Sequence, residues 1–340
     1  MQHSSLIQLA GPQFDIHFPA SCRAETVARL ASVTNLLHPD PIADLHSAGA
    51  APLLSEVEVL VTGWGSLAVD AELRRRMPRL KLIAHLAGTV KGVLTQDVAG
   101  SGSKVVSAAE ANARPVAEFT LAHILLHMKR VPEWQRLYRA ERAAIQTRST
   151  AFAGPVGNSG RTVGIVGASR IGRRVAEDLR RHQIAVLLHD PFVSAEDAAS
   201  FGARKVEMDE LLGQSDVVSL HQPLLPSTEC SFGTAEFARM RDGALLINTA
   251  RGRIIDADAL EMAMSDGRLR AVLDVTDPEP LPDDSPLWDM PNVTLTPHVA
   301  GSFGCEVCEM TDLVLGDIER FTRGAPLQHE VRLDNWERVA

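Results

Sequence analysis

The chain has 340 residues, 45% of them apolar and 23% charged, and a net charge of −9. A chain of this length exceeds one comfortable hydrophobic core, so two domains are expected, and its ordinary globular composition excludes a disordered or coiled-coil protein. The acidic balance, with no cluster of Lys and Arg among aromatics, argues against a nucleic-acid partner, which needs a basic face to neutralise phosphates.

No apolar run approaches the roughly 20 residues of a membrane span. The opening MQHSSLIQLAGPQFDIHF lacks the basic flank and apolar stretch of a signal peptide. Both point to a soluble, cytoplasmic protein, and the four cysteines suit a reducing compartment where they need not pair.

Short apolar runs alternate with helical stretches. In chain order, the expected strands are 57–63, 81–87, 104–108, 162–167, 185–190, 216–221, 244–250, 271–276 and 293–298. Most are β-branched or Leu-rich without clean alternation, the pattern of parallel strands buried on both faces. The intervening segments read as helices, among them 169–182 and 256–267, so right-handed βαβ units and a doubly wound sheet are expected. A helix from Pro115 to about Val131 is expected to begin at its proline. It is apolar on most faces (Val116, Phe119, Leu121, Ile124), which suggests burial, including in a dimer interface. Within it, His123 and His127 stand four apart without the Glu of a metalloprotease helix, and read as helix-surface or interface residues. A polar, glycine-rich connector, 146–161, follows. Near the C-terminus, Cys305-x-x-Cys308 lacks a second ligand pair for zinc and reads as small residues starting a helix that carries Met310, Leu313, Val314, Ile318 and Phe321. No metal site is expected.

The run TVGIVG enters Gly167-Ala168-Ser169-Arg170-Ile171-Gly172 and then a helix. This is the dinucleotide fingerprint G-x-G-x-x-G with Ser169 in place of the second glycine. Gly167 permits a tight turn, Gly172 lets helix and strand approach, and the helix N-terminus offers free N–H groups to a pyrophosphate. The serine side chain must point away or use its hydroxyl. The next strand ends in Asp190, at the distance where an acid binds the adenosine ribose hydroxyls. An acid there repels a 2′-phosphate, and Pro191-Phe192 supply no cation, so NAD(H) is expected over its phosphorylated counterpart.

Three later strands end in polar groups that their apolar bodies do not need: Arg251, the cluster Asp274 to Glu279, and His298. Ligands of open α/β sheets bind at the carboxyl ends of strands. Arginine can clamp a carboxylate with two bonds. Histidine can exchange an alcohol proton, and a neighbouring carboxylate can orient it. The trio suits oxidation of an alcohol beside a carboxylate.

With ANARPVAEFTLAHIL, TVGIVGASRIGR, SDVVSLHQPLLPST, LINTARGRIIDADAL, LDVTDPEPL and PNVTLTPHVAG in order, the chain resembles the D-isomer-specific 2-hydroxyacid dehydrogenase family, which includes phosphoglycerate dehydrogenases, glyoxylate/hydroxypyruvate reductases and D-lactate dehydrogenases. The resemblance implies an α/β protein of two Rossmann-like or flavodoxin-like, doubly wound parallel-sheet domains with a cleft between them. Residues 1–112 and 307–340 would bind substrate, and 113–306 would bind NAD. It also implies that Arg251 binds the substrate, Glu279 supports His298, and His298 is the acid/base. Backbone amides of the loop Gly88, Thr89, Val90 and Lys91 would hold the substrate carboxylate. Asp274 would lie near the nicotinamide, and His221, Pro223, Thr228, Thr249 and Ala250 would line the cofactor path. Lys91 stands where many relatives carry a small or apolar residue. A homodimer is expected.

The leading expectation is an enzyme interconverting a small 2-keto acid and its 2-hydroxy acid with NADH. A formate dehydrogenase is disfavoured, because those relatives carry glutamine where Glu279 stands. A dinucleotide-sensing binding protein, like the co-repressors that share the fold, is the alternative from another class, since fold alone does not settle function. With the sequence ending at Ala340, a regulated phosphoglycerate dehydrogenase carrying an added domain is not the expectation.

Overall fold

A computed structural model describes residues 2–9, 15–17, 19–20, 23–142, 156–334 and 336, so most of the 146–161 connector lies outside the described residues. The chain divides into two compact units, Met1–Pro115 with Gly301–Ala340, and Val116–Ala300.

The first unit is built on five parallel strands, β1 (Ser4–Ile7), β2 (Asn35–Leu36), β3 (Val59–Thr62), β4 (Leu82–His85) and β5 (Lys104–Ser107), in the order β2-β1-β3-β4-β5. Successive side chains of a strand point to opposite faces. Val59, Val61, Leu82 and Ala84 therefore feed one core layer and Leu60, Ile83 and Val105 the other. The helix Glu306–Thr322 covers the first layer with Met310, Val314, Leu315 and Ile318. Burying each such side chain contributes about 1.5–3 kcal/mol, so the unpatterned apolar runs of the sequence are what two-sided coverage requires.

The second unit holds β6 (Thr162–Val166), β7 (Ala185–His189), β8 (Arg204–Lys205), β9 (Val217–Leu220), β10 (Leu245–Asn248), β11 (Arg270–Leu273) and β12 (Val293–Leu295). These are all parallel, in the order β12-β11-β10-β9-β6-β7-β8. Val175, Ala176 and Leu179 of the helix Arg170–Leu179 pack on one face, and Leu211, Leu212, Phe237 and Leu260 pack on the other. After β8 the chain returns to the far side of β6 to lay down β9. The carboxyl ends of β6 and β9 therefore form a topological switch point, where such sheets open a ligand crevice.

All nine expected strands form. Among the described residues, three further strands that sequence reasoning missed, β1, β2 and β8, join the sheets, and β2 and β8 are two residues long, too short to show a period. The helix expected to begin at Pro115 spans Ala109–Met128 with the proline inside it. AEANAR is helix-forming, and Pro115, which loses the bond to the Ala111 carbonyl and crowds that carbonyl with its ring, is carried by the helix on either side. Val131 does not end that helix but starts the next, Val131–Glu141, after Arg130 in the left-handed region. His127 is not on the surface of its unit: it is buried, its Nδ1 facing the His123 carbonyl at 2.9 Å, and burial lowers its pKa to about 4. Cys305 and Cys308 do start the late helix. Among the described residues no helix is long and apolar enough to cross a membrane.

Candidate active site

At the switch point, Gly167 adopts φ +95°, and a Cβ there would lie 2.6 Å from the Gln222 nitrogen, so the turn after β6 and the turn after β9 nearly touch. Gly172 is closed in from the other side, because its Cβ would overlap the Gly167 carbonyl oxygen. Ser169 does not need glycine's freedom. It has φ −64° and caps the helix Arg170–Leu179, its Oγ accepting from the Gly172 N–H at 3.2 Å. The substitution thus trades close backbone approach for an N-cap, worth typically ~1 kcal/mol. Arg170 and Ile171 occupy the first helical turn.

Asp190 follows β7. Its Oδ2 accepts from the Ala168 N–H at 2.8 Å and its Oδ1 from the Phe192 N–H at 2.8 Å, so the carboxylate is fastened to the glycine loop. His221, after β9, is 4% exposed, and burial pushes its pKa down to about 3. Its Nε2 meets Ser219 Oγ at 2.9 Å, while its buried Nδ1 has no partner among the described residues. The Thr228 hydroxyl is turned into its own loop, donating to the Pro223 carbonyl at 2.6 Å and accepting from the Leu225 N–H at 2.8 Å. A crevice with an amide-bearing helix N-terminus, glycines that leave no room for side chains and one orphaned imidazole nitrogen suits a dinucleotide.

The turn after β10 carries Thr249, Ala250 and Arg251. Asn248, fully buried at the end of that strand, clamps it: Oδ1 accepts from the Ala250 N–H at 3.0 Å, and Nδ2 donates to the Arg251 carbonyl at 2.9 Å. Thr249 Oγ1 lies 3.3 Å from Thr120 Oγ1, and Arg251 Nη1 donates to the Ala250 carbonyl at 2.6 Å. Gly252 lets this turn press on the turn after β11, since a Cβ there would fall within the Thr276 peptide. Loss of solvent lowers the Arg251 pKa, and the nearby Glu279 opposes the shift. Arginine stays charged under either influence.

Asp274, 2% exposed, anchors the segment after β12. Its Oδ1 accepts from Thr296 Oγ1 at 2.6 Å and from the Val299 N–H at 2.8 Å, and its Oδ2 accepts from the Ala300 N–H at 2.9 Å. The His298 N–H donates to the Asp274 carbonyl at 2.9 Å, and His298 itself sits at φ +55°. Its Nδ1 is 2.6 Å from Glu279 Oε1, with the side chains 50% and 44% exposed. A pair this open to water adds little stability, so what the bond provides is orientation, leaving Nε2 for another partner. The structure therefore brings Glu279 and His298 together and sets Arg251 within Glu279's electrostatic reach. Asn248 and Thr296 were missed in the sequence. Their one signal was a polar residue closing an apolar strand.

In the first unit, the turn after β4 holds Gly88, Thr89, Val90 and Lys91. The Lys91 N–H donates to Thr89 Oγ1 at 3.3 Å. Among the described residues the N–H groups of Gly88, Thr89 and Val90 have no acceptor, and successive free amides form a concavity for an anion. The Val90 side chain is core, so only its backbone is available for binding.

Residues 121–300 match the family described as D-isomer specific 2-hydroxyacid dehydrogenase, NAD binding domain. The chain is 32% identical over 270 residues to a D-3-phosphoglycerate dehydrogenase of Archaeoglobus fulgidus, covering 79% of this chain and 50% of that one. With a glyoxylate reductase of Korarchaeum cryptofilum it shares 31% identity over 257 residues, covering 75% and 77%. It thus spans about half the length of the D-3-phosphoglycerate dehydrogenases it matches. The structure of a D-lactate dehydrogenase from Aquifex aeolicus, complexed with NAD and lactic acid, superposes with a TM-score of 0.70 at 25% identity, over 94% of this chain and 96% of that one. Family match, strand order and glycine loop agree, and the chain belongs to the D-isomer specific 2-hydroxyacid dehydrogenase family, with that family's NAD-binding domain at residues 121–300.

Proposed function

We propose that this protein interconverts a small 2-keto acid and the corresponding 2-hydroxy acid with NADH. The observation that carries the reading is the Glu279–His298 contact at 2.6 Å beside Arg251. The unit Val116–Ala300 would bind the cofactor, with its phosphates at the N-terminus of the helix Arg170–Leu179, its adenosine ribose at Asp190, and the remainder along His221, Pro223, Thr228, Thr249, Ala250 and Asp274. The first unit would bind substrate, and two copies of the chain would assemble as a dimer.

Bound NADH supplies the hydride. The residues do the rest. Arg251 would clamp the substrate carboxylate, and in the first unit the backbone amides of Gly88, Thr89 and Val90 would suit the same kind of anion. Protonated His298, oriented through Nδ1 by Glu279, gives its Nε2 proton to the oxygen that gains charge as the carbonyl is reduced. In the reverse direction neutral His298 takes that proton from the hydroxyl. The charge of Glu279 favours the imidazolium formed in that step.

A panel of 2-keto acids, followed by NADH absorbance, tests the activity. His298→Ala should lower both directions about 10²–10⁴-fold, the usual worth of general acid–base help, with NADH affinity retained. Tight NADH binding without turnover of any keto acid would instead favour a dinucleotide-sensing protein.

A further inference from the structure

Beside Asp190 the sequence offers no cation, but the fold brings one. Arg173, in the helix Arg170–Leu179, donates Nε–H to the Ala168 carbonyl at 3.1 Å, and the Ala168 N–H is the group bound to Asp190 Oδ2. The two ends of the guanidinium are engaged elsewhere: Nη1 and Nη2 donate to Asp197 Oδ1 and Oδ2 at 3.0 and 2.7 Å. The guanidinium carbon also rests 4.7 Å from the Phe201 ring centroid. Asp197 belongs to the helix Ala195–Ser200, which follows the Asp190 turn. Asp197 first, and then Asp190, favour the charged form of Arg173, so Arg173 lies in the field of both carboxylates while bonding to only one.

Planar, bidentate pairing is what an arginine offers a phosphate as readily as a carboxylate. The side chains of Arg173 and Asp197 are 35% and 45% exposed, so the pair contributes little as a surface salt bridge. It does fix where the guanidinium points. We propose that Asp197 is a second determinant of cofactor choice, locking Arg173 in a bidentate pair and so withholding a guanidinium that could otherwise neutralise Asp190 and receive a 2′-phosphate. Preference for the unphosphorylated cofactor then has two parts, repulsion by Asp190 and sequestration of the nearby cation by Asp197. The inference rests on the dinucleotide reading of the glycine loop.

The test measures dissociation constants of NADH, NADPH and 2′,5′-ADP by calorimetry for the parent, Asp190→Ser, Asp190→Ser/Asp197→Asn, and that double variant with Arg173→Met. Asp190→Ser should remove repulsion. Adding Asp197→Asn should then tighten NADPH and 2′,5′-ADP by about tenfold or more, the worth of one charge-assisted bond, while NADH changes little. Arg173→Met should erase that gain. Asp197→Ser, which also frees Arg173, should reproduce it if the asparagine variant folds poorly. The proposal is overturned if NADH and NADPH respond alike, or if the gain survives Arg173→Met. A parent that binds neither dinucleotide overturns the dinucleotide reading itself, and this proposal with it, and is told apart by the first titration.

Discussion

Replacing Asp274 with asparagine isolates the residue that holds the acid/base segment. Both carboxylate oxygens accept, two donors on Oδ1 and one on Oδ2, and the group is 2% exposed. Asparagine keeps one oxygen. Its amide oxygen can continue to serve Thr296 and the Val299 N–H, but its NH2 then faces the Ala300 N–H, donor against donor. A buried donor left without an acceptor costs about 1–3 kcal/mol, and two bonds to an ion become bonds to a neutral group for about 1 kcal/mol more. The relieved desolvation of the charge offsets part of this, leaving about 2–3 kcal/mol. For a unit the size of Val116–Ala300, 1 kcal/mol moves Tm by roughly 2–4 °C, so calorimetry should show its transition lowered by about 4–12 °C. The same shift displaces His298, and a misplacement of about 1 Å can cost on the order of 10²-fold in rate. Thr296→Val, which removes one donor and strands none, should cost about 1 kcal/mol. An Asp274→Asn protein with parental Tm and parental kcat would refute the anchoring role.

Gly172→Ala should abolish or severely weaken NADH binding, because the new methyl group meets the Gly167 carbonyl rather than a yielding side chain. Titration by fluorescence quenching checks this, and parental affinity would remove the cradle argument. Arg251→Lys should raise KM for a keto acid at least tenfold, since a point charge cannot reproduce a two-bonded carboxylate clamp; steady-state kinetics decides. Acid should destabilise the protein through its buried histidines. His17 and His127 are lowered to about 4, and His85 and His221 to about 3, all chiefly by burial. Unfolded, these rings take up protons near pH 6.5; folded, they do not. Stability is therefore full above about pH 6.5 and falls as the pH drops toward 4, by about 2 kcal/mol per histidine at pH 5. Urea unfolding at pH 7 and pH 5 measures this, and equal stabilities would count against it.

The sequence by itself determined the parallel-sheet fold class and nine of the strands. Runs such as VLVT, LIAH and LLIN are apolar on both faces, and a strand of that kind is stable only when covered on both sides. Gly167, Gly172 and Asp190 were legible because the turn imposes residue types at fixed spacing. Arg251, the acidic cluster Asp274 to Glu279, and His298 stood out because each follows an apolar run with groups the core does not need, and the family resemblance picked Glu279 from that cluster. Two-residue strands were invisible, having no period to read, and Pro115 misled because the lost hydrogen bond and ring clash of an interior proline weigh less than the helix on either side of it. What only the tertiary structure decided was which groups meet. Asp274 gathers the amides behind His298, and Arg173 finds Asp197 across a strand and a turn. Hydrogen bonds act over about 3 Å, and only folding brings residues distant in the chain within that reach.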